Sequence, residues 1–243
     1  MGLTTAATTD QIRERLAAVC RRIDEAADRS GRESADVRLV VVTKGHPVGV
    51  LNRLIECGQL ILGENRVEEA VSKIDAVVAH EGLEWHLVGA LQSRKVRLVE
   101  GRFHLLHAVD RLKIARLLEA QAGVLGRRQA VLLEWNVSGE ASKAGWRAED
   151  EAGWQAAVRE TLEIAGLPHL AVLGLMTVGA PTPDVAIQRQ MFRRLADLRK
   201  RLAQILGRDL PELSMGMTDD FEAAVEEGAT LVRIGRAILG ERM

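Results

Sequence analysis

The stretch Leu39-Val40-Val41-Val42-Thr43-Lys44-Gly45-His46-Pro47 decides how the rest of the chain is read. Consecutive aliphatic residues with no polar alternation describe a strand buried on both faces, as in a parallel sheet covered by helices. The run ends on Thr43 and Lys44, and Gly45 and Pro47 then turn the chain. On the N-terminal side, Thr8 and Gln11 have capping-box spacing, and Ile12, Leu16, Val19, Ile23 and Ala27 recur at helical intervals up to a stop at Gly31. On the C-terminal side, further short apolar runs alternate with helical stretches. The strands are expected at 37–43, 60–63, 85–89, 103–108, 130–137, 170–177, 213–215 and 231–234. The clearest helices are expected at 66–79, 111–122, 149–165, 185–206 and 219–227. Eight strand–helix repeats predict an α/β fold, a single TIM-like (β/α)8 barrel with an extra N-terminal helix, over residues 1–243 as one domain with 1–9 flexible. Periodicity gives element order and not closure, so a doubly wound open sheet remains the alternative. No G-x-G-x-x-G follows the first strand, which weakens its dinucleotide-binding version.

Composition narrows the classes. The 243 residues are 47% hydrophobic, enough for a large core, and no apolar run approaches the ~18 residues of a membrane span. The opening MGLTTAATTD has neither a basic nor an apolar leader region, so a cytoplasmic location is expected. With 33 basic against 34 acidic residues there is no charge surplus to release counterions, and nucleic acid is not an expected partner. Cys20 and Cys57 lack redox or zinc spacing, so both are expected as thiols packed like small hydrophobes; no metal is expected.

In a barrel, function gathers at the C-terminal ends of the strands. Lys44 leaves the first strand there, and a partly desolvated amine is a usable nucleophile toward an aldehyde. Taken alone, a lysine after a strand is an ordinary solvated loop residue. The last quarter changes the balance. Ser214-Met215-Gly216-Met217-Thr218-Asp219 ends one strand and opens a helix, and Val232-Arg233-Ile234-Gly235-Arg236-Ala237 repeats the arrangement one strand later. Small residues before a helix N-terminus suit a phosphate, and strands seven and eight are where barrels commonly bind one. A lysine facing a phosphate cradle describes a phosphorylated aldehyde, either a cofactor or a sugar phosphate. Ser142-Lys143-Ala144-Gly145 puts a second amine after the fifth strand, within reach of the mouth, although a solvated loop lysine is its plainer reading.

These residues form an ordered set: VVVTK at 40–44, GENRVEEA at 63–70, WHLVGALQSRK at 85–95, NVSGEASKAG at 136–145, GLMTV at 174–178 and SMGMTDDFEAAVEEGATLVRIG at 214–235. In this the chain resembles the pyridoxal phosphate homeostasis protein family, whose fold is similar to the N-terminal barrel of alanine racemase. The resemblance implies that pyridoxal 5'-phosphate (PLP) is the cofactor and that Lys44 forms its internal aldimine. It implies phosphate contacts from Ser214, Gly216, Met217, Gly235 and residue 236, Arg233 against the pyridine nitrogen, and Asn65 near the ring, with His86 and Met176 lining the pocket. The family usually carries threonine or serine where this chain has Arg236, so there a backbone N–H or the guanidinium itself must serve. The usual glycine-rich turn before Leu91-Gln92-Ser93 reads Gly89-Ala90.

An arginine at the ring nitrogen disfavours its protonation and weakens the electron sink that carbanion chemistry needs. The chain also contains no tyrosine, the second base that the alanine racemase resemblance calls for, and that enzyme's second β domain is not expected. The expected function is therefore intracellular PLP homeostasis, as carrier or regulator, with no catalytic residue assigned. PLP-dependent apoenzymes are the expected recipients, and the resemblance permits monomer or homodimer. The alternatives are a PLP enzyme of the same fold, a weak amino-acid racemase or decarboxylase using Lys44 and a base such as His86, and a class I aldolase-like enzyme.

Overall fold

The computed structural model describes residues 7–241 apart from Glu100, Ala141 and Glu149. Its strands are β1 (Arg38–Val42), β2 (Ile61–Glu64), β3 (Glu84–Leu87), β4 (Leu105–Val109), β5 (Gln129–Glu134), β6 (Leu170–Met176), β7 (Glu212–Ser214) and β8 (Leu231–Ile234). All pair in parallel and in chain order, and β8 returns to β1, so the sheet is a closed barrel. The open-sheet alternative is thereby excluded. Around it lie α1 (Thr9–Arg29), α2 (Val48–Glu56), α3 (Val67–Ile74), α4 (Leu112–Val124), α5 (Glu151–Ala165), α6 (Val185–Leu206), α7 (Phe221–Glu226) and α8 (Arg236–Leu239). After β3 a 3₁₀ turn, Ser93–Leu98, stands in place of an α-helix.

α1 starts where its capping box predicts. Thr8 Oγ1 accepts from the Gln11 N–H at 3.3 Å while Gln11 Oε1 accepts from the Thr8 N–H at 3.0 Å, a reciprocal pair worth about 1 kcal/mol. Its buried face, Ile12, Val19, Ile23, Ala26 and Ala27, packs on α2, α7 and α8, which flank the seam between β8 and β1. The expectation of flexibility over 1–9 needs correcting for its last three residues. Ala7 is buried and its carbonyl accepts from Arg53 at 2.8 Å, Thr8 caps α1, and Thr9 is helical. Residues 1–6 lie outside those described. Cys57 is half-buried, but Cys20 is exposed on the turn of α1 that faces away from Val19 and Ile23, so it is not packed as expected.

Strand alternation divides the side chains between two cores. Outward residues such as Val41, Leu62, Leu106, Leu133, Leu175 and Ile234 join the helices in the larger one. Inward residues, among them Val40, Val88, Leu105, Leu132, Met176 and Leu231, fill the barrel. β5 ends at Glu134, three residues before its expected limit, because the chain doubles back and the Trp146 N–H donates to the Glu134 carbonyl at 2.9 Å. There Trp135, Trp146 and Trp154 pack together with tilted rings, the centroids of Trp146 and Trp154 lying 6.3 and 6.0 Å from that of Trp135.

Candidate functional site

Closure between β8 and β1 pairs Val40 with Arg233 and Val41 with Ile234, which brings the exits of the first and last strands together. Gly235 lies so close to β1 that a Cβ on it would come within 2.8 Å of the Val42 carbonyl oxygen, and glycine is what lets the two exits touch. Lys44 leaves β1 beside this turn, half-buried. Its Nζ makes no hydrogen bond or ion pair among the described residues.

The backbone on either side of Lys44 is clamped. On α3, Lys73 and Glu69 are one turn apart, and Lys73 Nζ donates to the Thr43 carbonyl at 2.8 Å while the Gly45 N–H donates to Glu69 Oε1 at 2.7 Å. Lys73 also donates to Glu64 Oε1 at 2.6 Å and to Glu69 Oε1 at 2.7 Å, and Glu64 in turn accepts from the Thr43 hydroxyl. Glu64 is fully buried, and burial pushes its carboxyl up against the Lys73 and Thr43 hydrogen bonds that hold it down. The GENRVEEA stretch thus supplies Glu64 and Glu69 to fix the strand exit.

A cleft of about 500 Å³ opens above this end of the barrel, walled by Val42, Lys44, His46, Arg233, Gly235 and Arg236, with Met217, Thr218 and Asp219 opposite. The β7 turn enters it through Gly216, whose φ of 91° is left-handed and whose missing Cβ would meet Ala224 Cβ at 2.6 Å. Met217 N–H donates to Asp220 Oδ1 at 2.6 Å. Arg236, whose hydroxyl-bearing counterpart was expected to meet phosphate, directs its guanidinium to both carboxylate oxygens of Asp219 at 2.6 Å. A second cavity, about 80 Å³, lies near the opposite end of the barrel beside Phe103, Leu118 and Gln129 and exposes no nucleophile among the described residues.

Below the cleft a set of polar side chains threads the otherwise apolar barrel interior. Arg233 is buried, and its Nη1 donates to Ser214 Oγ at 2.6 Å and its Nη2 to the Thr177 carbonyl at 2.9 Å. Burial lowers its guanidinium to about 10 against the opposing pull of Asp220 and Glu134, so it stays charged at neutral pH. Ser214 Oγ lies 2.8 Å from His107 Nδ1, His107 Nε2 lies 3.0 Å from His86 Nδ1, and His86 Nε2 lies 3.2 Å from Glu84 Oε2. At the end of β5, Glu134 is buried with one carboxylate oxygen unpartnered, as is one oxygen of Asp110 among the described residues. Burial, with Asp110 adding repulsion, pushes Glu134 up to about 7.

Of the residues expected at a binding site, the cleft gathers Lys44, Met217, Arg233, Gly235 and Arg236. Ser214 and Gly216 stand just beneath it, the first with its hydroxyl turned to Arg233 and the second as the hinge of the β7 turn. Asn65 leaves β2 packed against Gly89, where a Cβ would lie 2.2 Å from its carbonyl oxygen; it does not wall the cleft. His86 and Met176 do not wall it either, because strand alternation sends both into the closed barrel interior. Lys143 reaches the mouth but is occupied. It donates to the Gly179 carbonyl at 3.0 Å and pairs with Glu140 at 2.8 Å, tying the β5 loop to the β6 loop. Sequence reading missed Glu134, Asp110, Lys73 and the histidine chain. Strand parity, with Ala130, Leu132 and Glu134 sharing the inward face, was the available signal for Glu134.

The family model for the N-terminal domain of alanine racemase matches residues 15–243. A pyridoxal phosphate homeostasis protein of Pseudomonas aeruginosa is 43% identical over 231 residues, 95% of this chain and 96% of the relative. Another, of Aquifex aeolicus, is 40% identical over 230 residues, 94% and 97% of the two chains. The chain belongs to the pyridoxal phosphate homeostasis protein family. The solved structure of PipY of Synechococcus elongatus with PLP bound is 33% identical, covers 94% of this chain and 100% of its own, and superposes with a TM-score of 0.79. An alanine racemase of Clostridium difficile, 18% identical with a TM-score of 0.68 over 94% of this chain and 56% of the enzyme, shares the barrel fold.

Proposed function

We propose that the chain binds PLP through a covalent link to Lys44 and acts in cytoplasmic PLP homeostasis, holding the cofactor and yielding it to PLP-dependent apoenzymes. One observation carries this reading: Lys44, the one primary amine among the described residues that wall the cleft, has no partner among the described residues, and it stands beside the Gly235 turn of β8 with the β7 turn at Met217–Asp219 opposite, in a cleft of about 500 Å³. The residues fit the group. A phosphate suits the turn that opens α8, where the Gly235 and Arg236 N–H groups make no hydrogen bond among the described residues; on the β7 side the Met217 N–H is already held by Asp220 Oδ1 and would have to be released to join them. Arg233 is assigned to the ring nitrogen. PLP itself supplies an aldehyde that condenses reversibly with an amine.

What the chain's own residues do then favours holding over turnover. The Lys73–Glu69 clamp fixes the backbone carrying the amine. Arg233 presents a charge that disfavours a proton on the ring nitrogen, and His86, the base considered for an enzyme, is 1% exposed with both ring nitrogens engaged. Glu134 favours the second reading, a weak enzyme of the same fold, because a carboxyl near neutrality on the inward face of a strand exit can move a proton at pH 7.

The purified protein is expected to take up PLP, to give a visible absorption band, and after borohydride to carry the adduct on Lys44 by peptide mass spectrometry. Lys44→Ala loses the band. Failure of the wild type to bind PLP would overturn the reading, and robust turnover of any D- or L-amino acid would replace carrier by enzyme.

A further inference from the structure

The interior chain Arg233, Ser214, His107, His86, Glu84 joins the two ends of the barrel. Arg233 stands at the cleft, whereas Glu84 opens β3 at the opposite face, where its side chain is 36% exposed. Between them His86, His107 and Ser214 are 0 or 1% exposed.

Hydrogen-bond chemistry gives such a chain a direction. A guanidinium only donates and an ionised carboxylate only accepts. Arg233 Nη1 donates to Ser214 Oγ, so the serine proton is free to go to His107 Nδ1, its neighbour at 2.8 Å. His107 Nδ1 then accepts and its Nε2 carries the hydrogen, which it donates to His86 Nδ1. His86 in turn carries its hydrogen on Nε2 and donates to Glu84. Every group is satisfied with both imidazoles neutral. The opposite polarity has His107 Nδ1–H donating to Ser214, which leaves the buried serine proton without an acceptor, and it requires an extra proton at the Glu84–His86 end. An unmade buried hydrogen bond costs about 1–3 kcal/mol, so the first polarity prevails. Burial acts the same way by lowering both histidines, His107 well below its ordinary value.

We propose that Glu84, from the face of the barrel opposite the cleft, sets the direction of a one-way hydrogen-bond chain through His86, His107 and Ser214, and that this chain positions the Arg233 guanidinium for the cofactor. Glu84, His86 and His107 are positioning residues and touch nothing in the cleft. The assignment to a cofactor rests on the PLP reading above; the direction of the chain does not.

Two experiments on the full chain separate them. Long-range proton–nitrogen NMR on ¹⁵N-histidine protein, without added PLP, is expected to show His86 and His107 both neutral with the hydrogen on Nε2. A hydrogen on Nδ1 of either ring overturns the chain. The functional arm uses a remote pair of substitutions. Glu84→Gln keeps an acceptor toward His86 Nε2 and is expected to leave PLP affinity and the absorption band as in wild type. Glu84→Lys places a donor there and reverses the polarity, and it is expected to weaken PLP binding about tenfold and shift the band, the loss of roughly one charge-assisted hydrogen bond. His107→Asn, which also accepts on one side and donates on the other, is expected to bind PLP like wild type, and His107→Leu to bind as weakly as Glu84→Lys. Unchanged binding and band in Glu84→Lys and His107→Leu would overturn the positioning role. Absence of PLP binding in wild type would defeat the PLP reading while the NMR result stood.

Discussion

Replacing Glu134 by glutamine should stabilise the protein, and only on the alkaline side of its titration. The carboxyl is 8% exposed, has one oxygen without a partner, and is pushed from 4.5 up to about 7 by burial and by Asp110. Because its folded value is raised, the folded state binds this proton more tightly than the unfolded chain. The penalty for ionising it is therefore absent below about pH 4.5, grows through the window between 4.5 and 7, and is complete above 7. At about 1.4 kcal/mol for each tenfold change in proton affinity, the ionised group costs the fold about 3 kcal/mol at pH 8. Glutamine keeps the shape, removes the titration, and offers an amide hydrogen to the unpartnered oxygen of Asp110. Urea unfolding of wild type and Glu134→Gln at pH 5 and at pH 8 gives the test as a double difference. The advantage of the variant should be larger at pH 8 by about 2–3 kcal/mol. An advantage that does not change with pH would refute the reasoning, since any effect of glutamine on packing is the same at both.

Three further outcomes follow from the geometry. Lys73→Met removes the cation that holds Glu64 and Glu69 and should cost about 3–5 kcal/mol in urea unfolding, with a good part restored by Glu64→Gln on the same background. Gly216→Ala combines a φ of 91° with a Cβ at 2.6 Å from that of Ala224, and should cost about 3 kcal/mol, read as a lower unfolding midpoint. Asp219→Asn frees the Arg236 guanidinium for a phosphate and should tighten PLP binding about threefold at low ionic strength, a gain that salt and Arg236→Ala each abolish in fluorescence titrations.

The barrel was legible because its signals are local. Each buried strand announces itself by an apolar run, and α6 was read at its observed limits because Asp184 caps it and Gly207, in the left-handed region, ends it. α2 gave a weaker signal: it has nine residues, follows Pro47 without a side-chain cap, and begins Val-Gly-Val. The lysine and the two glycine turns were legible too, since strand exits follow from strand ends. What sequence could not supply was direction across the barrel. Ser214 was expected on phosphate from its place in a motif, but its hydroxyl lies between Arg233 and His107, which is 107 residues away in the chain. His86 was considered as a base on its residue type, and only closure of the barrel shows that it faces inward with both nitrogens used.

The two polar systems of this barrel share a physical logic. A buried ion pair or polar chain is rarely the most stable filling for a core, because apolar residues of similar volume avoid the desolvation penalty. Lys73 with Glu64, and the histidines with Ser214 and Arg233, occupy such places. Each ends on one functional group at the mouth. The first holds the backbone of Lys44 from outside the sheet, and the second holds Arg233 from inside. On the PLP reading, a lysine with its backbone clamped and a fixed guanidinium, with Arg233 still charged at about 10, suit a tether whose electronics suppress rather than promote proton removal. A racemase needs the reverse: a ring that accepts electrons and a second base to return the proton. Here both ring nitrogens of His86 and of His107 are engaged and the chain has no tyrosine, which leaves Glu134 as the candidate base. The stability given up in the interior thus goes to holding the backbone of Lys44 and the Arg233 guanidinium, as the proposed carrier role asks.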